Sequence, residues 1–420
     1  MSFLFRSSNA RITEFWCSAL GALIFLVGSG GPAAADEYFY VQPRAFVSTE
    51  VDSNRDMVTS GPTTTSEGYG AQAGATIGIA TPESDTTIRP QLDYYDFPNL
   101  SETALEGRAD FASSLNAQRN QLGISGEYDH RELFGSELAS ATFNSVNPYL
   151  PTTPETGRIS VSGARSLLTV VPKYEYDLTQ RLDLDVSGIY QNLNYSGASA
   201  NYISYDYYDV SAGADWKLSP RSDLSLAVDG SSESAKDIDS VTHGHGITLT
   251  YNYQWSKVFT GSLSLVGEQY DIRIAPSNGA VIPAPSKTTS SGVGVQYTTT
   301  WIGEISQLQL IIGRTFTPSG AGGTFASDQF QAEYKRNFTP RMSLDVAAHY
   351  IQDVALSDLY DAGNYDYLIA TADLKWMLTR TWFVAGGVQY VKERYPESAT
   401  SAASSMAHVL FGYEGLGRQY

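Results

Sequence analysis

The sequence predicts an all-β, transmembrane, antiparallel up-and-down β-barrel of about eighteen strands, with sixteen as the alternative. Three observations predict it. Apolar and polar residues alternate over long segments, short and long connections alternate between those segments, and the tryptophans lie beside the short connections. Beyond the N-terminal region no run of eighteen apolar residues occurs, so a closed barrel is the way left for this chain to cross a bilayer.

The N-terminus has the three-part order of a secretory signal. Basic residues at Arg6 and Arg11 precede an apolar stretch over residues 15–27, and a run of alanines ends at Ala35. The apolar stretch is too short to span a bilayer, so we expect Sec export and cleavage near Ala35. The mature barrel then comprises residues 36–420.

Composition excludes several classes of protein. The one cysteine, Cys17, lies in the predicted signal, so the mature chain is expected to have no thiol, disulfide or thiolate metal site. Acidic residues outnumber basic ones, 45 against 27, and the net charge is −18. Because phosphate contacts need clustered lysine and arginine, nucleic acid is excluded as a partner. No cofactor is predicted.

Alternation over two residues marks the strands. Leu344, Val346 and Tyr350, for example, alternate with Asp345 and His349. One face of each strand is apolar and the other is polar or small, which is typical of a barrel wall between lipid and water. The strands are predicted near residues 38–49, 68–80, 86–96, 105–116, 119–131, 163–177, 181–194, 203–217, 222–232, 244–256, 258–272, 290–302, 306–316, 325–338, 341–354, 365–378, 381–394 and 404–415.

The connections between these segments alternate in length, as expected for short periplasmic turns and longer outer loops. Short turns follow even-numbered strands at residues 178–181, 218–221, 255–257, 338–341 and 378–381. Longer segments rich in Gly, Ser, Pro, Asn and Asp follow odd-numbered strands at residues 134–157, 236–242, 275–287, 318–324, 357–364 and 396–401.

The tryptophans of the mature chain all lie beside predicted short turns. Amphipathic aromatic side chains collect where hydrocarbon meets water. We therefore predict a periplasmic aromatic girdle made of Trp216, Trp255, Trp301, Trp376 and Trp382.

Functional residues are expected on the polar face, which lines the lumen of the predicted barrel. The candidates are Asp183, Asp185, Asp215, Lys217, Asp229, Glu268, Arg314, Glu333, Lys335, Asp345, His349, Asp373 and Lys375. In one interpretation they form a charged lining that selects solutes by sign. In the other, which we weight more for any single residue, opposite charges on neighbouring strands merely neutralise each other. The acid excess favours cations or neutral sugars over anions.

Two motifs resemble metal sites without completing one. His243 and His245 could form a metal pair, but they are predicted at a loop-to-strand junction with no third ligand nearby. Residues 52–56 have the opening spacing of a calcium loop, but Met57 stands where glycine is needed, so an ordinary polar outer loop is expected. No metal site is predicted.

An enzyme is also not expected. Five histidines follow the predicted signal, and none belongs to a Gly-x-Ser-x-Gly nucleophile motif. They are His130, His243, His245, His349 and His408. A membrane-embedded hydrolase using a histidine at the rim is the weakest of the hypotheses considered.

Several short segments resemble a known family. Tyr40-Val41-Gln42-Pro43-Arg44-Ala45, Ile88-Arg89-Pro90-Gln91-Leu92-Asp93-Tyr94-Tyr95 and the turns Ser219-Pro220-Arg221 and Thr339-Pro340-Arg341 resemble the outer-membrane β-barrel porins associated with exopolysaccharide production and export. The resemblance implies a barrel that helps secreted polysaccharide, or a smaller solute, across the outer membrane, with polysaccharide-export components as partners. It implies no catalytic residues.

The functional prediction is a passive conduit in the bacterial outer membrane. The alternative is a structural or surface-binding barrel whose lumen is blocked, for instance by the segment 134–157 folding inward. Expected partners are outer-membrane lipid, lipopolysaccharide and the barrel assembly machinery, which usually recognises a C-terminal aromatic such as Tyr420. Phe411 and Tyr413 have the opposite parity from Tyr420, so the last residues are expected to extend past the final strand.

Overall fold

The computed structural model describes residues 38–55, 57, 63–132, 163–197, 203–235, 240–274, 286–319, 323–355, 365–395, 400–416 and 418–419. The predicted signal and the segment 134–157 lie outside these residues. No helix in the described part of the chain is long and apolar enough to cross a membrane.

Eighteen long strands form one antiparallel sheet, in which each strand pairs with the next and β1 pairs with β18. The sheet is therefore closed, and the predicted eighteen-stranded barrel is confirmed. The strands are β1 Tyr38–Asp52, β2 Ser66–Ala80, β3 Ser84–Phe97, β4 Glu102–Asn116, β5 Asn120–Glu132, β6 Ala164–Asp177, β7 Leu182–Ser196, β8 Tyr205–Ser219, β9 Ser222–Ala235, β10 Ser240–Ser256, β11 Phe259–Ile274, β12 Ser286–Ile302, β13 Ser306–Ser319, β14 Gly323–Thr339, β15 Met342–Ala355, β16 Tyr365–Met377, β17 Trp382–Tyr395, β18 Thr400–Glu414 and the short β19 Arg418–Gln419.

All connections at one end of the barrel are short, and the longest ones lie at the other end, as predicted, although some connections at that end are equally short. Hydroxyl groups hold the short turns: the Thr179 Oγ1 accepts the amide of Arg181 at 3.1 Å, and the Ser219 Oγ accepts that of Arg221 at 3.1 Å. At the loop end, four connections are shorter than predicted because the strands that follow them begin earlier: β10 at Ser240, β12 at Ser286, β14 at Gly323 and β18 at Thr400.

The outward face carries a continuous apolar band. Cross-strand partners share a face, so the register separates outward from inward residues. Along β10 the outward residues from Trp255 to Ile247 are apolar, and His245 then ends the run. This run covers about nine residues, which is the length that a tilted strand needs to cross a bilayer. Polar outward residues border the band at the loop end of other strands: Asp206, Gln269, Ser291, Asp328, Gln352, Asp366 and Lys392.

The five tryptophans form the opposite border of this band. All lie on the outward face beside the short turns, and Trp216 and Trp376 are more than half exposed. Trp255 packs on Phe259 with ring centroids 4.8 Å apart, and Trp382 stacks on Phe411 at 5.2 Å. This is the arrangement expected of aromatic side chains at a membrane interface. That this end faces the periplasm stays a prediction.

The closure between the first and last strands contains a one-residue bulge. Arg44 pairs with Glu414, but Tyr40 pairs with Gln419, so one extra residue is inserted on the C-terminal side. Within it, the amide of Gly415 donates to the Pro43 carbonyl at 2.8 Å. The chain continues past the end of β18, as expected, and its last described residues resume pairing with β1 as β19. The bulge explains the change of parity.

Candidate functional site: the charged lumen

The inward face contains most of the candidate residues. The ladders place twelve of them there: Asp183, Asp185, Asp215, Lys217, Asp229, Glu268, Glu333, Lys335, Asp345, His349, Asp373 and Lys375. Their strands span more than half of the barrel wall, so they line several separate regions and do not form a single site.

Arg314 is the exception, because it faces outward. It pairs with Asp328, and the outward run Leu308, Leu310 and Ile312 has the same parity on β13. Its guanidinium binds the Asp328 carboxylate, with Nε at 2.7 Å. The pair stands at the loop-end border of the apolar band, where a charged side chain can reach water. The assignment of Arg314 to the lumen is therefore wrong.

Three carboxylates form an acidic patch about halfway along the lumen, on β8, β9 and β11. Asp229 and Glu268 both pair with Gly246, which lies between them on β10, and Asp209 stands diagonally across from Asp229. A Cβ on Gly246 would lie 2.7 Å from an Asp229 carboxylate oxygen. The Asp229 side chain therefore lies over the glycine and leans toward Glu268.

The acidic patch, defined as Asp209, Asp229 and Glu268, has no ion pair with a lysine or arginine among the described residues. Its nearest cross-strand neighbours include Ser211 and Ser231, which are neutral. A concave wall of one sign focuses the electric field and raises the local concentration of cations. Sequence analysis found Asp229 and Glu268 but omitted Asp209, although its parity matches that of Asp215.

A second cluster of lumen charges, on β4, β5 and β6, contains several ion pairs and was missed by sequence analysis. Asp129 accepts the Arg131 Nε at 2.6 Å and the Arg165 Nη2 at 3.0 Å, and the Asp129 and Arg165 side chains are almost fully buried. Beside it, the Arg108 Nε lies 2.9 Å from the Glu127 Oε1. Glu127, Asp129 and Arg131 have the same parity on β5, which could have placed them together on the inward face. Opposite charges on neighbouring strands neutralise each other here, which is the second of the two interpretations offered for the lumen charges.

The lysines near the short-turn end are also paired. The Lys217 Nζ lies 2.6 Å from the Asp183 Oδ2, and the Lys375 Nζ lies 2.9 Å from the Glu414 Oε2. Lys335 lies 3.1 Å from Glu333 and 3.4 Å from Asp345. These pairs are partly exposed to the lumen and so add little stability. The acidic patch, by contrast, is a place on this wall where three carboxylates stand together without an ion pair among the described residues.

A cavity of about 790 Å³ opens at the short-turn end, below the acidic patch. Its walls include Arg181, Lys217, Asn252, Ser262 and Thr298. Hydroxyl and amide groups can exchange hydrogen bonds with a passing solute as water does, so this part of the wall suits polar molecules.

At the loop end, the chain after β1 folds into the barrel. The Ser53 amide donates to the Ser405 carbonyl at 3.0 Å, and the Asn54 Nδ2 donates to the Ala403 carbonyl at 3.0 Å. These bonds fix the start of the connection against β18. The guanidinium of Arg55 then lies 3.4 Å from the centre of the inward Phe97 ring of β3.

Met57 extends this inward packing to the other side of β1. It is 4% exposed and contacts a cluster of inward residues on β15 to β18: Ile351, Tyr367, Ile369, Val391 and Ala402. Burial lowers the pKa of Arg55, while the nearby Glu50 and Asp52 carboxylates raise it. The prediction of an ordinary polar outer loop is therefore wrong for Arg55 and Met57, because both are buried against the lumen wall.

The remaining histidines do not come together. His243 and His245 lie within β10 and face outward, not at a loop-to-strand junction. His130 also faces outward, with its Nδ1 2.7 Å from the Ser166 Oγ. His408 faces the lumen, and its Nε2 lies 3.0 Å from the Asp373 Oδ1. The structure thus distributes these histidines over both faces of the wall.

No family model and no curated protein matches the chain. Solved structures are similar at low identity. OccK2 (OpdF) of Pseudomonas aeruginosa in complex with glucuronate is 13% identical, with a TM-score of 0.44 over 91% of this chain and 99% of that one. OpdK of the same species with vanillate is 12% identical, with a TM-score of 0.43 over 90% and 99%. OccAB3 of Acinetobacter baumannii is 9% identical, with a TM-score of 0.43 over 92% and 100%.

Proposed function

We propose that the protein is an outer-membrane channel through which small polar solutes diffuse, with a preference for cations over anions. The observation that carries the proposal is the acidic patch, Asp209, Asp229 and Glu268, which forms no ion pair with a described lysine or arginine and lies on the wall of a closed barrel. The apolar band with its tryptophan border supports the membrane location, because a barrel hides its backbone polar groups from lipid.

Size and charge are selected at different heights in this proposal. The inward segment with Arg55 and Met57 narrows the loop end, so it limits the size of the solute. The acidic patch acts further in, where it attracts cations and repels anions before the solute reaches the hydroxyl-lined cavity. The paired charges of β4 to β6 contribute little net potential, because each arginine there has a carboxylate partner.

Planar-bilayer recording of the refolded barrel tests the proposal. A KCl gradient gives a reversal potential whose sign reports cation preference. A triple variant that neutralises the patch, D209N/D229N/E268Q, is expected to lose most of that preference and to keep the conductance of the parent. The matched control is a second triple variant, E67Q/D96N/D366N, which neutralises three outward carboxylates. It is expected to leave the reversal potential unchanged. A reversal potential that does not respond to the patch variant would overturn the assignment of charge selection to these residues.

A blocked barrel is the second candidate, and the buried position of Met57 favours it. The same recording decides between them, since a blocked lumen gives no conductance at any voltage. The segment 134–157, which would block the lumen if it folded inward, lies outside the described residues. Polysaccharide export, which the family resemblance implies, gains no support from the comparisons and stays a prediction; block of the current by added oligosaccharide would support it.

A further inference from the structure

Four basic residues stand near one another on the outward face of β10, β11 and β12. The register places Arg273 opposite Lys287 and His243 opposite Asp271, all on the outward face. His245 is the next outward residue of β10. We call His243, His245, Arg273 and Lys287 the rim patch. The four are exposed and belong to no part of the lumen.

The rim patch lies directly above the apolar band. Two residues along β10 from His245, the outward row holds Val228, Ile247 and Val293, which are 54%, 52% and 73% exposed. In a membrane this row meets acyl chains, and the rim patch stands at the height of the lipid headgroups. A single lipid can therefore contact both surfaces at once.

Among the described residues, the charges of the rim patch are not balanced. Arg273 and Lys287 stand directly opposite each other, and like charges in this position are destabilising. The Lys287 Nζ lies 3.5 Å from the Asp271 Oδ2, and Thr289 donates to the other oxygen of that carboxylate at 2.7 Å. One carboxylate offsets one of the two fixed positive charges. In a chain of net charge −18, an unbalanced cationic surface indicates an anionic partner.

We propose that the rim patch binds a phosphate group of a glycolipid in the outer leaflet. Arginine can donate two parallel hydrogen bonds to a phosphate, lysine adds a point charge, and imidazole N–H groups add donors. The acyl chains of the same lipid lie over Val228, Ile247 and Val293. This proposal rests on the outer-membrane location argued above and is independent of what passes through the lumen.

Native mass spectrometry of the refolded, detergent-solubilised barrel tests the proposal, with diphosphorylated lipid A as the probe. R273Q/K287Q is expected to weaken binding by about tenfold or more, since it removes two charge-assisted contacts. The matched control is K392Q/R394Q, which removes two outward cations above the apolar band on β17. This control is expected to bind as the parent does. Heat-modifiable migration in gel electrophoresis verifies that each variant has folded.

Three results would overturn the glycolipid assignment. These are equal binding by R273Q/K287Q, an equal loss in the β17 control, and equal binding of fully dephosphorylated lipid A. Inorganic phosphate serves as a further arm: if it binds as tightly as lipid A, the patch is an anion site and not a lipid site. Conductance of the same preparations separates this proposal from the channel, because normal currents with no lipid binding refute the rim patch alone.

Discussion

The carboxylate of Asp229 lies over the inward face of Gly246, 2.7 Å from where a Cβ on that glycine would be. Since Gly246 pairs with both Asp229 and Glu268, this glycine sets how closely the two acids approach. A larger residue would separate them and change the field in the lumen.

Gly246→Ala is therefore expected to turn Asp229 away and to lower the cation preference without abolishing it. Overpacking of this kind typically costs about 1–3 kcal/mol of stability. The reversal potential in a KCl gradient measures the first effect and urea unfolding in vesicles the second. Gly230→Ala is the control, because a Cβ there meets nothing within 4 Å. Identical selectivity in the two variants would contradict the positioning role of Gly246.

Cation preference is also expected to fall as the salt concentration rises. The Debye length shortens from about 10 Å at 0.1 M to about 3 Å at 1 M, so the field of the acidic patch no longer spans the lumen. Reversal potentials measured at a constant concentration ratio but increasing ionic strength test this. A preference that holds at 1 M would indicate close binding at a single site and not a long-range field.

Replacing Asp129 should destabilise the barrel more than replacing an exposed acid. Asp129→Asn leaves Arg131 and Arg165 buried without their shared counterion, which costs about 3–5 kcal/mol. Asp328→Asn, which breaks the exposed pair with Arg314, is expected to cost about 1 kcal/mol or less. Equilibrium urea unfolding measures both. Equal costs would show that burial does not strengthen the Asp129 cluster.

Shortening Met57 should widen the loop end of the lumen. Met57→Ala removes most of the side chain from a buried cluster with Ile369 and Val391, at a local cost of about 2–5 kcal/mol. We expect the inward segment to detach and the single-channel conductance to rise. Met342→Ala, beside a short turn at the opposite end, is the control. An unchanged conductance in Met57→Ala would place the narrowest point elsewhere.

Alternation predicted the fold well because the two sides of a barrel wall face different solvents. Trp216 and Trp382 could be placed at one border from sequence alone, since both flank turn motifs. Arg314 could not be assigned from its charge, because a charged residue at the border of the band is tolerated on the outward face. Its parity with Ile312 was the better signal.

The site was harder to predict because charge pairing depends on which strands are neighbours at each height. Asp209 and Asp183 look alike in sequence, yet Asp183 is neutralised by Lys217 and Asp209 has no such partner among the described residues. Nothing in the sequence indicated that Met57 packs inward either. A connection of polar composition gives no indication that its first residues will pack against the inner face of the barrel wall.

The extra residue near Gly415 bears on how the cylinder is joined during assembly. The β1–β18 pairing and the β1–β19 pairing lie on either side of it, and both must be in register for the barrel to close. Sliding β18 by a single position would turn Phe411 toward the channel and His408 toward lipid, so a mismatched joint exposes polar groups to the bilayer. The bulge thus favours a single register between the first and last strands.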